Sequence, residues 1–164
     1  MPATLIGTDG VYCKWLPNDI QVVDNFTLKE LGIPFNSTPF LMIQCLRNRI
    51  NSTLRKKNSA GTFERASIRV SSGYRTKEKH LQIYEGRGRP APELSHHLHF
   101  DDRPWSAVDF KVDYKTHDKL THMEEYECIE QTLADMAIPG GCYNIGNGYW
   151  HLDCRGKKWR GQIK

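Results

Sequence analysis

Three short stretches carry the side chains richest in chemistry: Ser95-His96-His97, Ala107-Val108-Asp109 and Trp150-His151-Leu152-Asp153. Two imidazoles and one carboxylate form a donor set suited to a catalytic zinc ion. Such an ion takes about three protein ligands and keeps a position for water. The charge left on the ion acidifies that water. The expected ligands are His97, Asp109 and His151. A fourth stretch, Ser71-Ser72-Gly73-Tyr74-Arg75, places a guanidinium after a strand-like run.

Position depends on the elements around these residues. Residues 66–72 and 106–112 alternate apolar and polar types, as strands do. In the second run Val108, Phe110 and Val112 share one face, predicted to pack on the core, while Ala107, Asp109 and Lys111 share the other. Residues 149–154 form a third candidate strand after the turn Gly146-Asn147-Gly148. If Asp109 and His151 lie on neighbouring strands, their side chains can meet on one face. His97, from a loop, would close the third corner.

Helices frame these strands. Thr38 and Pro39 predict a helix start, and Met42, Ile43, Leu46, Ile50 and Leu54 draw its apolar stripe. Arg47, Arg49, Arg55, Lys56 and Lys57 lie mostly off that stripe and read as a solvated face. Thr76 can cap a short helix through Leu81 to Tyr84. Residues 118–137 read as a long helix stopped by Ile138-Pro139-Gly140-Gly141. Its Glu124, Glu125, Glu127 and Glu130 are expected to be solvated. Residues 24–31 suggest one or two helical turns capped by Asp24. Helices and strands alternate without regular βαβ spacing. The predicted fold is therefore α+β, a small, mainly antiparallel sheet with flanking helices.

A chain of 164 residues, 38% apolar and 26% charged, suits a single soluble domain over 1–164, with 1–23 as an irregular N-terminal segment. No apolar run nears the roughly 20 residues that span a bilayer, so membrane insertion is not expected. The start, MPATLIGTDG, lacks a basic stretch followed by an apolar one, which predicts synthesis in the cytoplasm without a signal peptide. A net charge of +4 gives weak attraction to polyanions. Lys157, Lys158 and Arg160 make the tail basic, but no nucleic-acid recognition motif accompanies them. The cysteines Cys13, Cys45, Cys128, Cys142 and Cys154 are odd in number and contain no CxxC pair, which predicts reduced thiols. A thiol nucleophile at Cys142 or Cys154 with His151 as base is disfavoured: Cys154 and His151 point to opposite strand faces.

The order S-G-Y-R at 72–75, S-x-H at 95–97, A-x-D at 107–109 and W-H-x-D at 150–153 resembles the zinc D-Ala-D-Ala carboxypeptidase family, whose fold is shared by hedgehog signalling domains and which includes phage endolysins. The resemblance spans roughly residues 24–159. It implies a hedgehog/DD-peptidase-like single domain, zinc at His97, Asp109 and His151, and hydrolysis of bacterial cell-wall peptide. Arg75 matches the arginine that holds the substrate carbonyl or developing oxyanion, a task suited to a charged, forked donor. Ser95 matches a residue that shapes the ligand loop and touches substrate, and Tyr74 and Trp150 are expected beside them. The resemblance also implies action on the cell wall, as for a phage-encoded protein.

Two departures shape the reading. The interval Leu98 to Ser106 is longer than in that family, and Trp105 stands where it has a glycine, so His96 and His99 stay open as alternative ligands. Gly148 stands where many members carry the catalytic acid. Asp153 shares a strand face with His151 and can act as general base or orient an imidazole, and His99 is a second candidate base. The alternative function is a virion structural or wall-binding module that keeps the zinc site with little catalysis. Oligomeric state is not set by these residues.

Overall fold

The computed structural model describes residues 21–23, 26–27, 36–58, 65–115 and 117–161. Cys13 and the breakers Pro17, Gly32 and Pro34 lie outside them. Strands β1 (Gln21–Val23) and β2 (Phe26–Thr27) pair antiparallel, so Phe26 and Thr27 are extended where helical turns were expected.

Helix α1 (Ser37–Lys57) buries Phe40, Met42, Ile43, Leu46, Ile50 and Leu54. Its cap is Asn36, two residues before the expected Thr38. Asn36 Oδ1 accepts from the Thr38 amide at 3.1 Å, while Asn36 Nδ2 donates to the Trp105 carbonyl at 2.6 Å. That second bond selects the earlier cap and ties α1 to the chain entering the site. Pro39 still falls in the first turn, where its missing N–H costs nothing.

Strand β3 (Ser67–Ser72) leads through Arg75 into helix α2 (Lys77–Glu85), capped by Thr76. Strand β4 (Ala107–Asp113) is followed by helix α3 (His122–Asp135), which is shorter than the expected 118–137. Thr121 and Glu124 form a reciprocal capping box that fixes its start. Its end comes at Met136 and Ala137, the latter at φ 53°, ahead of Pro139.

Strands β5 (Gly141–Gly146), β6 (Tyr149–Asp153) and β7 (Trp159–Arg160) complete a five-stranded sheet in the order β3-β4-β6-β5-β7. All pairings are antiparallel except β5 with β7, so the sheet is mixed. The fold class is α+β. Gly140 and Gly141 are not the helix stop expected of them. A Cβ on Gly140 would lie 2.2 Å from the Asp153 carbonyl oxygen, and one on Gly141 would lie 2.7 Å from the Asp153 carboxylate. They are small because β5 runs against Asp153.

The core lies between one sheet face and helices α1 and α3. Val108, Phe110, Val112, Trp150 and Leu152 meet Phe40, Ile43, Leu46, Ile129 and Leu133 there. Full burial of one such side chain contributes about 1.5–3 kcal/mol. Among the described residues no helix is long and apolar enough to cross a membrane.

Candidate metal centre

The antiparallel register of β4 and β6 sets Asp109 directly opposite His151. The period-2 alternation that sends Val108 and Trp150 into the core turns both side chains to the other face. His97 comes from the loop between α2 and β4, whose backbone is pinned at two points, one by the segment after β3 and one by the residue just before β4. The Arg75 amide donates to the His97 carbonyl at 2.8 Å, and the Ser106 amide donates to the His96 carbonyl at 2.8 Å. Ser95 Oγ accepts from the His97 amide at 3.3 Å.

The donor atoms of His97, Asp109 and His151 all lie within 4.8 Å of one another. Asp109 Oδ1 is 2.7 Å from His151 Nδ1 and 3.2 Å from His97 Nε2. His97, Asp109 and His151 are all buried. His96 and His99 are not in this group. The His96 ring instead meets Ser106 and Arg103.

The far side of each imidazole fixes its near side. His97 Nδ1 lies 2.6 Å from the Gly73 carbonyl, which only accepts, so Nδ1 carries the hydrogen. Burial pushes the His97 pKa down despite the hydrogen bond and charge of Asp109, which favours the neutral ring. Nε2 faces Asp109 Oδ1, where either a proton or a metal ion can stand between the two atoms. His151 Nε2 lies 3.0 Å from Asp153 Oδ2, so both of its nitrogens face carboxylates. Burial opposes its charge, but the hydrogen bonds and charges of Asp109 and Asp153 outweigh burial and hold its pKa up. Either a proton or a metal ion satisfies Nδ1 there. Burial would raise the Asp109 pKa, yet bonds from His151 and His97 outweigh it and hold the carboxyl well below the ordinary range. A carboxylate oxygen and two pinned imidazole nitrogens converge, and this buried group could hold a metal ion.

Arg75 sits behind the carboxylate. Its Nη2 donates to Asp109 Oδ2 at 2.5 Å and its Nε donates to Ser72 Oγ at 2.7 Å. The guanidinium holds one oxygen of Asp109 and so aims the other at the histidines. Asp153 is fully buried and accepts from the Gly141 amide, the Arg155 amide and the Arg155 guanidinium as well as from His151. Burial opposes its charge, but Arg155 and His151 outweigh burial and keep it ionised far below the usual carboxylate range. That placement suits the orienting role, one of the two expected of it.

One expected substrate contact, Trp150, is placed elsewhere. Trp150 has no exposed surface. It stacks on His122 at 4.2 Å and donates through Nε1 to Glu125 Oε2 at 2.7 Å. On β6 it faces the core, because His151 beside it faces the site. Tyr74 is half-buried, its ring 6.4 Å from that of the buried Trp105.

Three residues near the site escaped the sequence reading. Tyr143, opposite His151 in the β5–β6 register, stacks on the His151 ring at 4.6 Å. Trp159 meets Tyr143 edge-on at 5.4 Å, and the Arg155 guanidinium lies 4.4 Å from the Trp159 ring. The signal for Tyr143 was the turn at Asn147 and Gly148, both at positive φ, which closes a hairpin and fixes that pairing. Gly148 serves this turn at φ 78°.

Comparison of the chain with family models, curated proteins and solved structures returns no match. The chemistry therefore stands on the geometry.

Proposed function

We propose that this chain is a zinc-dependent peptidase of bacterial cell-wall peptide, with the hedgehog/DD-peptidase-like fold that its motifs resemble. The observation that carries the reading is the convergence of His97 Nε2, His151 Nδ1 and Asp109 Oδ1, with the opposite nitrogen of each histidine engaged by an acceptor. This donor set fits zinc. When bound, the ion supplies a Lewis acid and acidifies a water molecule.

The chain's own residues do the rest. Arg75 holds Oδ2 of Asp109 and so turns Oδ1 toward the histidines. Its Nη1 makes no hydrogen bond among the described residues and is left to donate to a substrate carbonyl. Tyr143 is stacked on His151, and burial and the nearby Asp109 charge push its phenol up to about 12, so it stays protonated near neutral pH. It serves as a donor toward developing negative charge. Asp153 holds the His151 ring, and Arg155 holds Asp153.

The test pairs elemental analysis with digestion of purified cell walls before and after chelation. One zinc per chain is expected, with new amino groups appearing only in the metal-loaded protein. Undiminished release after complete metal removal would overturn the reading. A second reading, a zinc-stabilised wall-binding or virion structural module, is favoured by Gly148 and by the capture of Asp153 by Arg155, which leave neither as a free base. Stoichiometric zinc with no turnover on any wall preparation would select it.

A further inference from the structure

We propose that Trp159 forms a shelf beside the metal centre that takes a pyranose ring of the wall glycan. The choice of substrate rests on the wall-peptidase reading above, while the shelf itself is built from contacts that need no metal.

Strand alternation aims the shelf. Lys158, just before β7, and Arg160 within it both pair with Glu130 of α3, on the helix side of the sheet. Trp159 lies between them and so faces the other side, which carries the metal centre. There its ring meets Tyr143 edge-on at 5.4 Å, and Tyr143 stacks on His151 at 4.6 Å. An unbroken aromatic path thus leads from a candidate metal ligand to an indole at the surface. Trp105 and Trp150 are fully buried, whereas Trp159 is 37% exposed.

The exposed ring is held in place from several directions. The Trp159 amide donates to the Gly140 carbonyl at 3.2 Å, and the Gly161 amide donates to the Cys142 carbonyl at 3.0 Å. Gly156, at φ 77°, turns the chain so that the Arg155 guanidinium lies 4.4 Å from the indole, and Arg155 is itself bound to Asp153. Gly161 leaves room for both rings: a Cβ there would lie 2.6 Å from Tyr143 Cβ and 2.7 Å from Trp159 Cη2. An aromatic side chain ordered before its ligand arrives loses little entropy on binding.

The groups around the ring select the ligand. The indole offers a flat apolar surface. The polar groups beside it are donors: Arg155 Nη1 makes no hydrogen bond among the described residues, and Lys157 is exposed on the same turn. The complement is a flat apolar face rimmed by acceptor oxygens. A pyranose has it, with C–H bonds across the ring face and hydroxyl and acyl oxygens at the edge. An aliphatic peptide side chain would match the indole and leave the donors unmatched.

Titration of the full chain with tri-N-acetylchitotriose, followed by the Trp159 indole N–H resonance, tests the shelf with or without metal. Saturable shifts are expected. Trp159→Leu keeps apolar bulk without the ring and should weaken binding about tenfold, whereas Trp159→Tyr keeps a flat ring and should stay within about threefold of the parent. On whole walls Trp159→Leu should raise KM about tenfold with kcat unchanged, and cleavage of a glycan-free wall peptide should match the parent. Sugar binding by a chain that cleaves no wall would sink the peptidase reading and keep the shelf. No shift with the sugar, or equal affinity in the parent and Trp159→Leu, would overturn the proposal. Loss of zinc in both variants would also overturn it, by assigning Trp159 to bracing Arg155.

Discussion

The two faces of the sheet each bury a carboxylate, and they satisfy it in opposite ways. On the core face Glu125 accepts from Trp150 Nε1 and from Tyr114 Oη, both at 2.7 Å. On the other face Asp109 accepts from Arg75 and faces two imidazoles. Indole and phenol keep their hydrogens near neutral pH, so the Glu125 contacts are permanent braces. Imidazole nitrogens exchange a proton for a metal ion, so the Asp109 contacts can be rebuilt around a ligand. Trp150 and His151 are adjacent on β6, yet one locks the fold and the other serves the site. A strand with period-2 alternation can do both at once.

The largest expected effect probes the site face. His151→Ala should lose the metal, from one per chain to near none by elemental analysis, and with it any wall hydrolysis. Full zinc occupancy in that variant would break the contrast between the faces. Next comes the core face. Glu125→Ala leaves a buried indole N–H and phenol O–H without their acceptor, and should destabilise the fold by about 2–4 kcal/mol in urea unfolding. Metal content per folded chain should stay near one, and a loss of zinc without a loss of stability would show that Glu125 serves the site.

A subtler change lies behind His151. Asp153→Asn keeps the volume but removes the charge that orients the ring, and should weaken metal affinity about 10–100-fold in competition with a chelator. Unchanged affinity would make Asp153 a partner of Arg155 alone. The smallest effect concerns thiols. Cys142 is buried on β5 and its pKa is pushed up to about 12 by desolvation, whereas Cys45 is exposed on α1. Brief alkylation of the folded protein should label Cys45 and spare Cys142, read by peptide mass, with no change in stability. Rapid labelling of Cys142 would show that the sheet opens there.

Much of this was legible before any tertiary structure. Alternation over 106–112 placed Asp109 opposite the core residues of its strand, and the spacing of Met42 to Leu54 marked the buried stripe of α1. The S-x-H spacing of the resembled family favoured His97 and left His96 and His99 open, and the structure groups His97 with Asp109 and His151. Other readings failed for identifiable reasons. Glu125 was read as solvated because helical periodicity does not reveal that Trp150 and Tyr114 lie against that turn. Gly140 and Gly141 were read as a helix stop because their closeness to Asp153 arises across the sheet. Asn36 was passed over as a cap because the bond that favours it runs to the Trp105 carbonyl.

Residue type and local spacing determined which groups are chemically able, which face of each strand they occupy and where helices bury their apolar stripes, because these follow from backbone geometry over a few residues. Which nitrogen of each histidine faces Asp109, what pins the other nitrogen, and that Trp150 braces the core were decided by strand register and by hydrogen bonds between residues far apart in the chain. Such contacts form only when non-local segments pack, and no short-range pattern encodes them.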